Sequence, residues 1–283
     1  MQKDRGQDLS KTILITGSTR GIGRALALEL AAYGSRVIVN GLRQREVDRV
    51  VEEITEQNGE AWGVQADVSN PDEVTLLVEA TVKKYGTIDM LIHNAGNLRD
   101  RKIRNMTDED WHDVLNVHLT GAFYCIRRAL PYLSARGGDI LLLTSTAGLK
   151  GSVGQANYSA AKAGMLGLVW TLAEELRREH IRIHAIAPAA LTDMTRPVIE
   201  RLTERARRQG QPFPAEWQVG DTESIAQFVR HLLSQRDPDL TGQIFGVNGS
   251  RITLWQKPYA SWHTDGVESF FAEWTRRERG GKA

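Results

Sequence analysis

The chain has 283 residues, with 36 Lys and Arg against 35 Asp and Glu, which leaves a formal net charge of +1. This balance argues against nucleic acid or an anionic membrane as a main partner, because both attract strongly basic surfaces. The one cysteine, Cys125, excludes an intrachain disulfide and gives no basis for a metal site, so no metal is predicted. The polar start at residues 1–10 and the lack of a long apolar run predict a cytoplasmic protein without a membrane span.

Short apolar runs alternate with longer amphipathic runs along the chain, which predicts alternating strands and helices. Strands are predicted at Thr12–Thr16, Val37–Asn40, Ala61–Ala66, Ile88–His93, Asp139–Thr144, Ile181–Ala187 and Gln243–Val247. Helices are predicted at Gly23–Tyr33, Glu46–Gln57, Pro71–Tyr85, Asp108–Ala135 (long enough to bend), Ala156–Glu179 and Glu223–Ser234. This pattern predicts a single α/β domain over residues 1–283, a doubly wound parallel sheet with helices on both faces.

Two segments interrupt the alternation. Residues 189–221 form an insert rich in charge and proline, placed where the carboxyl ends of the strands bind ligands in this architecture. We expect it to cover the substrate, and a solvated loop with one helix is the alternative. Residues 257–283 form a C-terminal extension with Trp262 and Trp274 in polar surroundings. Because exposed tryptophan is costly, we expect the extension to cover a neighbouring subunit or to fold back on its own chain, and partial disorder is the alternative.

A glycine-rich turn follows the first strand and opens the first helix. Its residues are Gly17, Ser18, Thr19, Arg20, Gly21, Ile22 and Gly23, preceded by Thr16. Glycine permits the tight turn and lets backbone N–H groups approach a pyrophosphate, while the helix N-terminus adds partial positive charge. In this context of strand, turn and helix, the segment predicts a dinucleotide-binding site.

The end of the second strand indicates which dinucleotide binds. An acidic residue there would bind a ribose 2′-hydroxyl and select NAD, but the position holds Gly41. Arg20 and Arg43 are nearby instead, and guanidinium groups are good partners of a 2′-phosphate. NADP(H) is therefore favoured, NAD(H) stays possible, and solvated arginines are the alternative reading.

Further cofactor contacts are predicted at the ends of the third and fourth strands. Asp67 and Val68 follow the third strand, where the adenine ring would lie, and Asn94, Ala95 and Gly96 follow the fourth. Small residues at such a turn let a cofactor lie against the backbone.

Tyr158 and Lys162 are four residues apart on a predicted helix, which places them on one face. A neighbouring ammonium favours phenolate, so we expect Lys162 to lower the pKa of the Tyr158 phenol and make it an acid/base near neutral pH. Ser145, after the fifth strand, is placed to hydrogen-bond a substrate oxygen. A cofactor would supply the hydride.

Taken together, these residues resemble the short-chain dehydrogenase/reductase family. The resemblance rests on TGSTRGIG at 16–23, Asp67-Val68, NAG at 94–96, Ser145, YSAAK at 158–162 and IAP at 186–188. It implies a Rossmann-type fold with a seven-stranded parallel sheet and a homodimer or homotetramer. It also implies a Ser145–Tyr158–Lys162 centre in which Lys162 binds the nicotinamide ribose, with Pro188, Ala189 and Thr192 as further cofactor contacts.

Two branches of the family are the most similar. The 3-oxoacyl-carrier-protein reductases resemble GQANYSAAKAG at 154–164, and the (3R)-hydroxyacyl-CoA dehydrogenase unit of peroxisomal multifunctional enzymes resembles NAGNLRDRKIRNMTDEDW at 94–111. Many members carry a fourth catalytic residue, an asparagine that holds a water, and the matching position here is His118. His118 either takes over that catalytic role or is a packed helix histidine. We interpret His93 and His184 as structural.

The leading interpretation is an NADPH-dependent reductase of a small-molecule ketone, either a β-oxoacyl thioester on CoA or a carrier protein or a polyketide-like compound. Gln155 and the 189–221 insert would line the substrate site together with Ser145 and Tyr158. Arg136, Arg177 and Arg178 are either contacts for CoA phosphates or an acidic carrier, or solvated helix ends. An NAD-dependent alcohol dehydrogenase and a non-catalytic dinucleotide-binding protein are the alternatives.

Overall fold

The computed structural model describes residues 10–134, 137–214, 217–235 and 237–280. The predicted N-terminal arm, apart from Ser10, and the predicted helix end at Ala135 lie outside these ranges, as does Arg136.

The centre of the molecule is one sheet whose strands follow the order β3-β2-β1-β4-β5-β6-β7-β8. The strands are β1 Thr12–Thr16, β2 Arg36–Gly41, β3 Glu60–Gln65, β4 Met90–His93, β5 Gly138–Leu143, β6 Ile181–Pro188, β7 Ile244–Asn248 and β8 Arg251–Trp255. All pairings from β3 to β7 are parallel. The strand order reverses between β1 and β4, which opens a crevice at their carboxyl ends.

Helices cover both faces of the sheet, as the sequence predicts. They are α1 Gly21–Ala32, α2 Gln44–Glu56, α3 Pro71–Tyr85, α4 Asp108–Leu115, α5 Gly121–Ser134, α6 Thr146–Lys150, α7 Ala156–Glu175, α8 Arg196–Gln209, α9 Thr222–Ser234 and α10 Val267–Gly280. Ile13 and Ile15 of β1 pack in the core under α1, α2 and α9, whereas Leu14 packs in the core under α3, α5 and α7. This alternation follows from the two-residue period of a strand.

The seven expected parallel strands are present as β1 to β7, and within the described residues the sheet has an eighth, antiparallel strand at its edge. Gly249 has a φ of +56° and lies in the two-residue turn between Asn248 and Arg251, which pair across it. A positive φ is what such a hairpin turn requires, and glycine adopts it without strain. Strand β8, in which Ile252 and Leu254 alternate with polar residues, then forms this edge of the sheet.

The predicted long helix at Asp108–Ala135 is divided rather than continuous. A five-residue π-helix, Asn116–Thr120, separates α4 from α5. Such π-turns inside α-helices often mark functional sites. The helix predicted to reach Glu179 ends earlier, since α7 stops at Glu175 and a 3₁₀ turn at Arg177–Glu179 follows it.

The two irregular segments contain helices of their own. The 189–221 insert carries α8, and Gly210, the residue after this helix, has a left-handed backbone conformation that ends it. In the C-terminal extension, Trp262 stacks on Phe270 of α10 at 4.6 Å between ring centres, while Trp274 remains 50% exposed. The extension therefore folds partly on itself. Within the described ranges, no helix is long and apolar enough to cross a membrane.

Candidate active site

Steric crowding explains the glycines of the turn after β1. Gly17 has a φ of +61°, and a Cβ added to it would lie 2.7 Å from the Cα of Ala95. A Cβ on Gly23 would lie 2.4 Å from the carbonyl oxygen of Gly17 and from the Nδ2 of Asn94. Real Cβ atoms do not approach other atoms so closely. With the turn and the loop after β4 in these positions, residues 17 and 23 therefore have to be glycine.

Hydrogen bonds join this turn to the loop after β4. The Oγ1 of Thr16 accepts from the backbone N–H groups of Asn94 and Ala95, each at 3.1 Å. The side-chain amide of Asn94 donates back to the carbonyls of Thr16 and Gly17 at 3.2 and 2.8 Å. The two predicted cofactor motifs are therefore one connected unit.

His93 supports that unit from inside the sheet. Because the Oγ1 of Thr16 already accepts two hydrogen bonds, its own proton is available to the Nδ1 of His93 at 3.2 Å. Burial, and next the charge of Lys162, lower the pKa of His93 to about 3. A neutral imidazole in this position agrees with the structural interpretation of His93. His184 is similar, because burial lowers its pKa to about 4 beside Phe245.

Sequence reasoning missed Asn40, which fastens the turn to β2. Its Oδ1 accepts from the backbone N–H of Gly17 at 3.2 Å, and its Nδ2 donates to the carbonyls of Val64 and Ala66. Ser18 turns its hydroxyl inward, where it donates to the carbonyl of Ile15 at 2.8 Å. The sequence offered one weak signal, a polar residue after the apolar run of β2, but the burial of Asn40 (1% exposed) and its partners appear only in the structure.

A cavity of about 550 Å³ lies along the carboxyl ends of β1, β2 and β4. Most of the predicted cofactor residues line it, namely Gly17, Thr19, Arg20, Gly21, Ile22, Arg43, Asp67, Val68, Asn94, Ala95, Gly96 and Thr192. Ser18, Gly23, Pro188, Ala189, Tyr158 and Lys162 are not among the lining residues. Because Asp67 and Val68 follow β3, the cavity spans the ends of four strands, and this length and the crowded glycine turn fit a dinucleotide.

The part of the cavity near β2 favours NADP(H). A Cβ on Gly41 would lie 2.5 Å from the Cγ2 of Thr19, so the fold itself disfavours a carboxylate at this position. Arg43 lines the cavity but pairs with Glu46 at 2.9 Å, and Arg20 lies 3.9 Å from Asp193. Both guanidinium groups are exposed and can turn toward a phosphate.

The predicted proton-transfer residues meet where β5, α6 and α7 come together. Ser145 caps α6, and its Oγ accepts from the N–H of Ala147 at 3.1 Å. The ammonium of Lys162 donates to the carbonyl of Leu143 and lies 5.5 Å from the centre of the Tyr158 ring. The Oγ1 of Thr144 donates to the carbonyl of Lys162 at 3.0 Å, which holds the end of β5 against α7.

The expected effect of Lys162 on Tyr158 is wrong in this structure. Burial raises the pKa of Tyr158 to about 12, and the hydrogen bond with Ser145 lowers it less than burial raises it. Burial also lowers the pKa of Lys162 to about 7. Desolvation disfavours the charged form of both groups and is the largest cause of both shifts. The Tyr158 phenol is therefore protonated at neutral pH.

His118 lies in the π-helix and packs against Tyr158. The two rings meet edge to face at 5.1 Å between centres, and the Nε2 of His118 lies 3.1 Å from the backbone N and 2.9 Å from the backbone O of Asn97. A Cβ on Gly96 would lie 2.4 Å from the imidazole, so glycine makes room for the ring. Burial and the charge of Lys162 hold the pKa of His118 well below its usual range. This geometry supports the packing alternative, while Asn116 lines the cofactor cavity.

The remaining predicted residues lie around this centre or away from it. Gln155 precedes α7, and its Nε2 donates to the Oδ2 of Asp100 at 2.9 Å. Arg177 lies near Glu174 and Asp239, as expected of a solvated helix end. Across the described part of the chain, no group of three or more His, Cys, Asp or Glu side chains is placed to hold a metal.

With this geometry in place, comparison with known proteins identifies the family. The family model for short chain dehydrogenases matches residues 11–203. The chain belongs to the short-chain dehydrogenase family. It is an oxidoreductase that acts on carbonyl or alcohol groups with NAD(P)(H), and the predicted enzyme class and Rossmann-type fold are confirmed.

Individual relatives agree with this assignment. The chain is 41% identical over 249 residues to a 3-oxoacyl-[acyl-carrier-protein] reductase of Synechocystis, covering 86% of this chain and 97% of the relative. It is 38% identical over 244 residues to one of Staphylococcus epidermidis, covering 85% and 98%. A short chain dehydrogenase from Mycobacterium avium has a similar crystal structure, with a TM-score of 0.78, 34% identity and coverage of 93% and 94%.

Proposed function

We propose that this short-chain dehydrogenase is an NADPH-dependent ketoreductase that reduces a 3-oxoacyl thioester to a secondary alcohol. The observation that carries the proposal is the meeting of Ser145, Tyr158 and Lys162 where β5, α6 and α7 come together, with the Lys162 ammonium 5.5 Å from the centre of the Tyr158 ring. Tyr158 is the proton donor of this centre. A protonated group can donate to a developing alkoxide, as reduction requires, whereas oxidation needs a base at the same place. The names of the relatives supply the substrate class.

Cofactor binding would use the cavity at the strand ends. The backbone of the glycine turn and the N-terminus of α1 would hold the pyrophosphate. Arg20 and Arg43 would pair with the 2′-phosphate, and Lys162 with the ribose hydroxyls. When bound, NADPH supplies the hydride for the carbonyl carbon. Gly41 supports the phosphate assignment, since Thr19 leaves no room there for a competing carboxylate.

Ser145, Tyr158 and His118 would orient the substrate carbonyl and protonate it. The Oγ of Ser145 accepts from the N–H of Ala147, and its hydroxyl, which contacts Tyr158 in this structure, would turn its proton to the substrate carbonyl oxygen. Tyr158 would then donate its proton to that oxygen as negative charge develops. His118 would hold the phenol ring in place through its edge-to-face contact.

The names of the relatives support an acyl-carrier-protein thioester, whereas a CoA thioester and a homo-oligomer are carried over from the family resemblance. A thioester on CoA or on a carrier protein is the proposed substrate form, and a homodimer or homotetramer is the proposed assembly. The single-domain arrangement over residues 1–283 stays a prediction, as does the substrate-covering role of the 189–221 insert.

A substrate and cofactor panel tests the proposal. The purified chain is mixed with 3-oxobutanoyl-N-acetylcysteamine, a steroid ketone or an aromatic ketone, each with NADPH or NADH, and the absorbance of reduced nicotinamide is followed. We expect the largest kcat/KM for the thioester with NADPH. A clear preference for NADH, or turnover of the other ketones alone, would contradict the proposal.

A further inference from the structure

Asp100 lies beside the proposed proton donor and has no part in the mechanism above. Its Oδ2 accepts from the Nε2 of Gln155 at 2.9 Å, and the neighbouring Arg101 forms a β-bridge with Gln155. Asn157 adds two contacts, because its Nδ2 donates to the carbonyl of Arg99 at 3.1 Å and to that of Asp110 at 2.8 Å. The loop that carries Asp100 is thus fixed against the start of α7.

The charge of Asp100 is not neutralised by the arginines on either side. Arg99 pairs with Asp113 at 3.2 Å, and Arg101 pairs with Asp110 at 2.8 Å. Among the residues that the structure describes, the only hydrogen bond to the Asp100 carboxylate comes from the neutral amide of Gln155. A carboxylate that accepts from a neutral amide is not neutralised by it, and this one lies at the start of α7.

Gln155, whose amide holds Asp100, is the N-cap of α7 and lies three residues before Tyr158, so the Asp100 carboxylate lies at the end of α7 that carries the proton donor. The negative charge of Asp100 acts to raise the pKa of Tyr158, in the same direction as burial. Partial burial raises the pKa of Asp100 itself, while the hydrogen bond from Gln155 favours its charged form. Asp100 is exposed to solvent, which screens its charge, but a second negative charge brought next to Tyr158 at short range is still repelled by it.

We propose that Asp100 determines specificity, so that the site rejects carbonyl substrates with a free carboxylate next to the reacting carbonyl and selects uncharged esters and thioesters. This inference rests on the proposed ketoreductase function. In a 3-oxo acid, only one carbon separates the carboxylate from the ketone. When Tyr158 and Ser145 hold the ketone oxygen, that carboxylate has to lie near Asp100, and like charges at short range repel. Esterification removes the charge and leaves the reacting carbonyl unchanged.

A pair of substrates with the same acyl chain provides the test. The kcat/KM with NADPH is measured for 3-oxobutanoate and for its ethyl ester, in the wild-type chain and in Asp100→Asn. The asparagine still accepts the hydrogen bond from Gln155 but carries no charge. We expect Asp100→Asn to raise the ratio of acid to ester kcat/KM about tenfold, an order of magnitude typical of one close like-charge contact. Because both substrates take their proton from Tyr158, a change in its pKa cancels in this ratio.

Asp48→Asn is the matched control. Asp48 is also an aspartate that accepts from a glutamine amide, that of Gln44 at 2.7 Å, but it lies on α2. This variant removes the same charge and should leave the ratio unchanged. Asp100→Glu keeps the charge and should keep the wild-type ratio, and Asp100→Ser gives a second uncharged variant if the asparagine variant does not fold.

The outcomes separate the two claims. Turnover of the ester with an unchanged ratio in Asp100→Asn overturns the role of Asp100 and leaves the proposed function standing. An equal rise in the ratio in Asp48→Asn also overturns it, because net charge alone would then explain the effect. No turnover of the ester or of the thioester by the wild-type chain overturns the proposed function, and this inference with it.

Discussion

The glycine turn after β1 and the Ser145–Tyr158–Lys162 centre after β5 serve one crevice, but different forces shape them. At the turn, backbone atoms approach so closely that a Cβ on Gly17 would lie 2.7 Å from a neighbouring Cα. At the centre, side chains are buried, and desolvation moves the pKa of Tyr158 to about 12 and that of Lys162 to about 7. Shape therefore controls cofactor binding, and burial controls proton transfer. Changes at the two places should be separable in kinetics.

The largest effect is expected for Tyr158→Phe, which tests whether the centre acts on chemistry alone. Without the phenolic hydroxyl the proton donor is lost, so kcat for a 3-oxoacyl thioester should fall by roughly two to four orders of magnitude. The Kd of NADPH should stay within about twofold of wild type, since the ring still packs on His118. Stopped-flow turnover and cofactor fluorescence measure the two quantities. An unchanged kcat would remove Tyr158 from the mechanism.

Lys162→Met tests whether burial controls the centre. The pKa of Lys162 falls from 10.5 to about 7 in the folded chain, so between these values the unfolded state binds more protons and stability rises with pH. The variant lacks this titration. The stability difference, taken as the unfolding free energy of the wild type minus that of Lys162→Met, should therefore grow with pH. Between about pH 7 and about pH 10 the increase is on the order of 4 kcal/mol. Urea unfolding of both proteins measures it, and parallel pH profiles would show that Lys162 is not desolvated.

Gly17→Ala tests the steric account of the turn. The added Cβ meets the backbone of Ala95, and the φ of +61° disfavours any L-side chain. We expect NADPH to bind at least about tenfold more weakly, with kcat at saturating cofactor much less affected. The control is Gly167→Ala on α7, where a Cβ meets nothing within 4 Å. That variant should bind NADPH normally and, as a glycine-to-alanine change inside a helix, should not lose stability.

The smallest effect is expected for Arg43→Ala, because this guanidinium is 79% exposed and already pairs with Glu46. Its contribution to 2′-phosphate binding should lower kcat/KM for NADPH about fivefold and leave that for NADH unchanged. Equal losses with both cofactors would show that Arg43 supports the fold rather than the phosphate.

Sequence periodicity predicts much of this fold, because a strand buried on both faces of the sheet is a continuous apolar run in the sequence. The parallel strands β1 to β7 lie where these apolar runs predict them. The antiparallel strand β8 was missed although Ile252 and Leu254 alternate with polar residues, because a five-residue edge strand with exposed side chains has no continuous apolar run to mark it. The π-helix at Asn116–Thr120 was anticipated only as a bend, since no local signal fixes a hydrogen-bond register.

At the active site, too, the sequence predicts what local spacing fixes and misses what depends on burial and long-range contacts. Ser145, Tyr158 and Lys162 are brought together as spacing and strand ends predict. The direction of the Tyr158 pKa shift was predicted wrongly because spacing reveals the neighbouring ammonium but not the degree of burial. Asn40 and Asp100 were missed because their roles depend on contacts with residues distant in the chain, such as Val64 and Gln155.

The most direct test of the separation between the two regions is to measure two constants on each of two variants. Single-turnover rates at saturating NADPH and the Kd of NADPH are determined for Tyr158→Phe and Gly17→Ala under the same conditions. The account predicts a crossed result, in which Tyr158→Phe loses rate but keeps affinity and Gly17→Ala loses affinity but keeps most of the rate. Parallel loss of rate and affinity in both variants would contradict it.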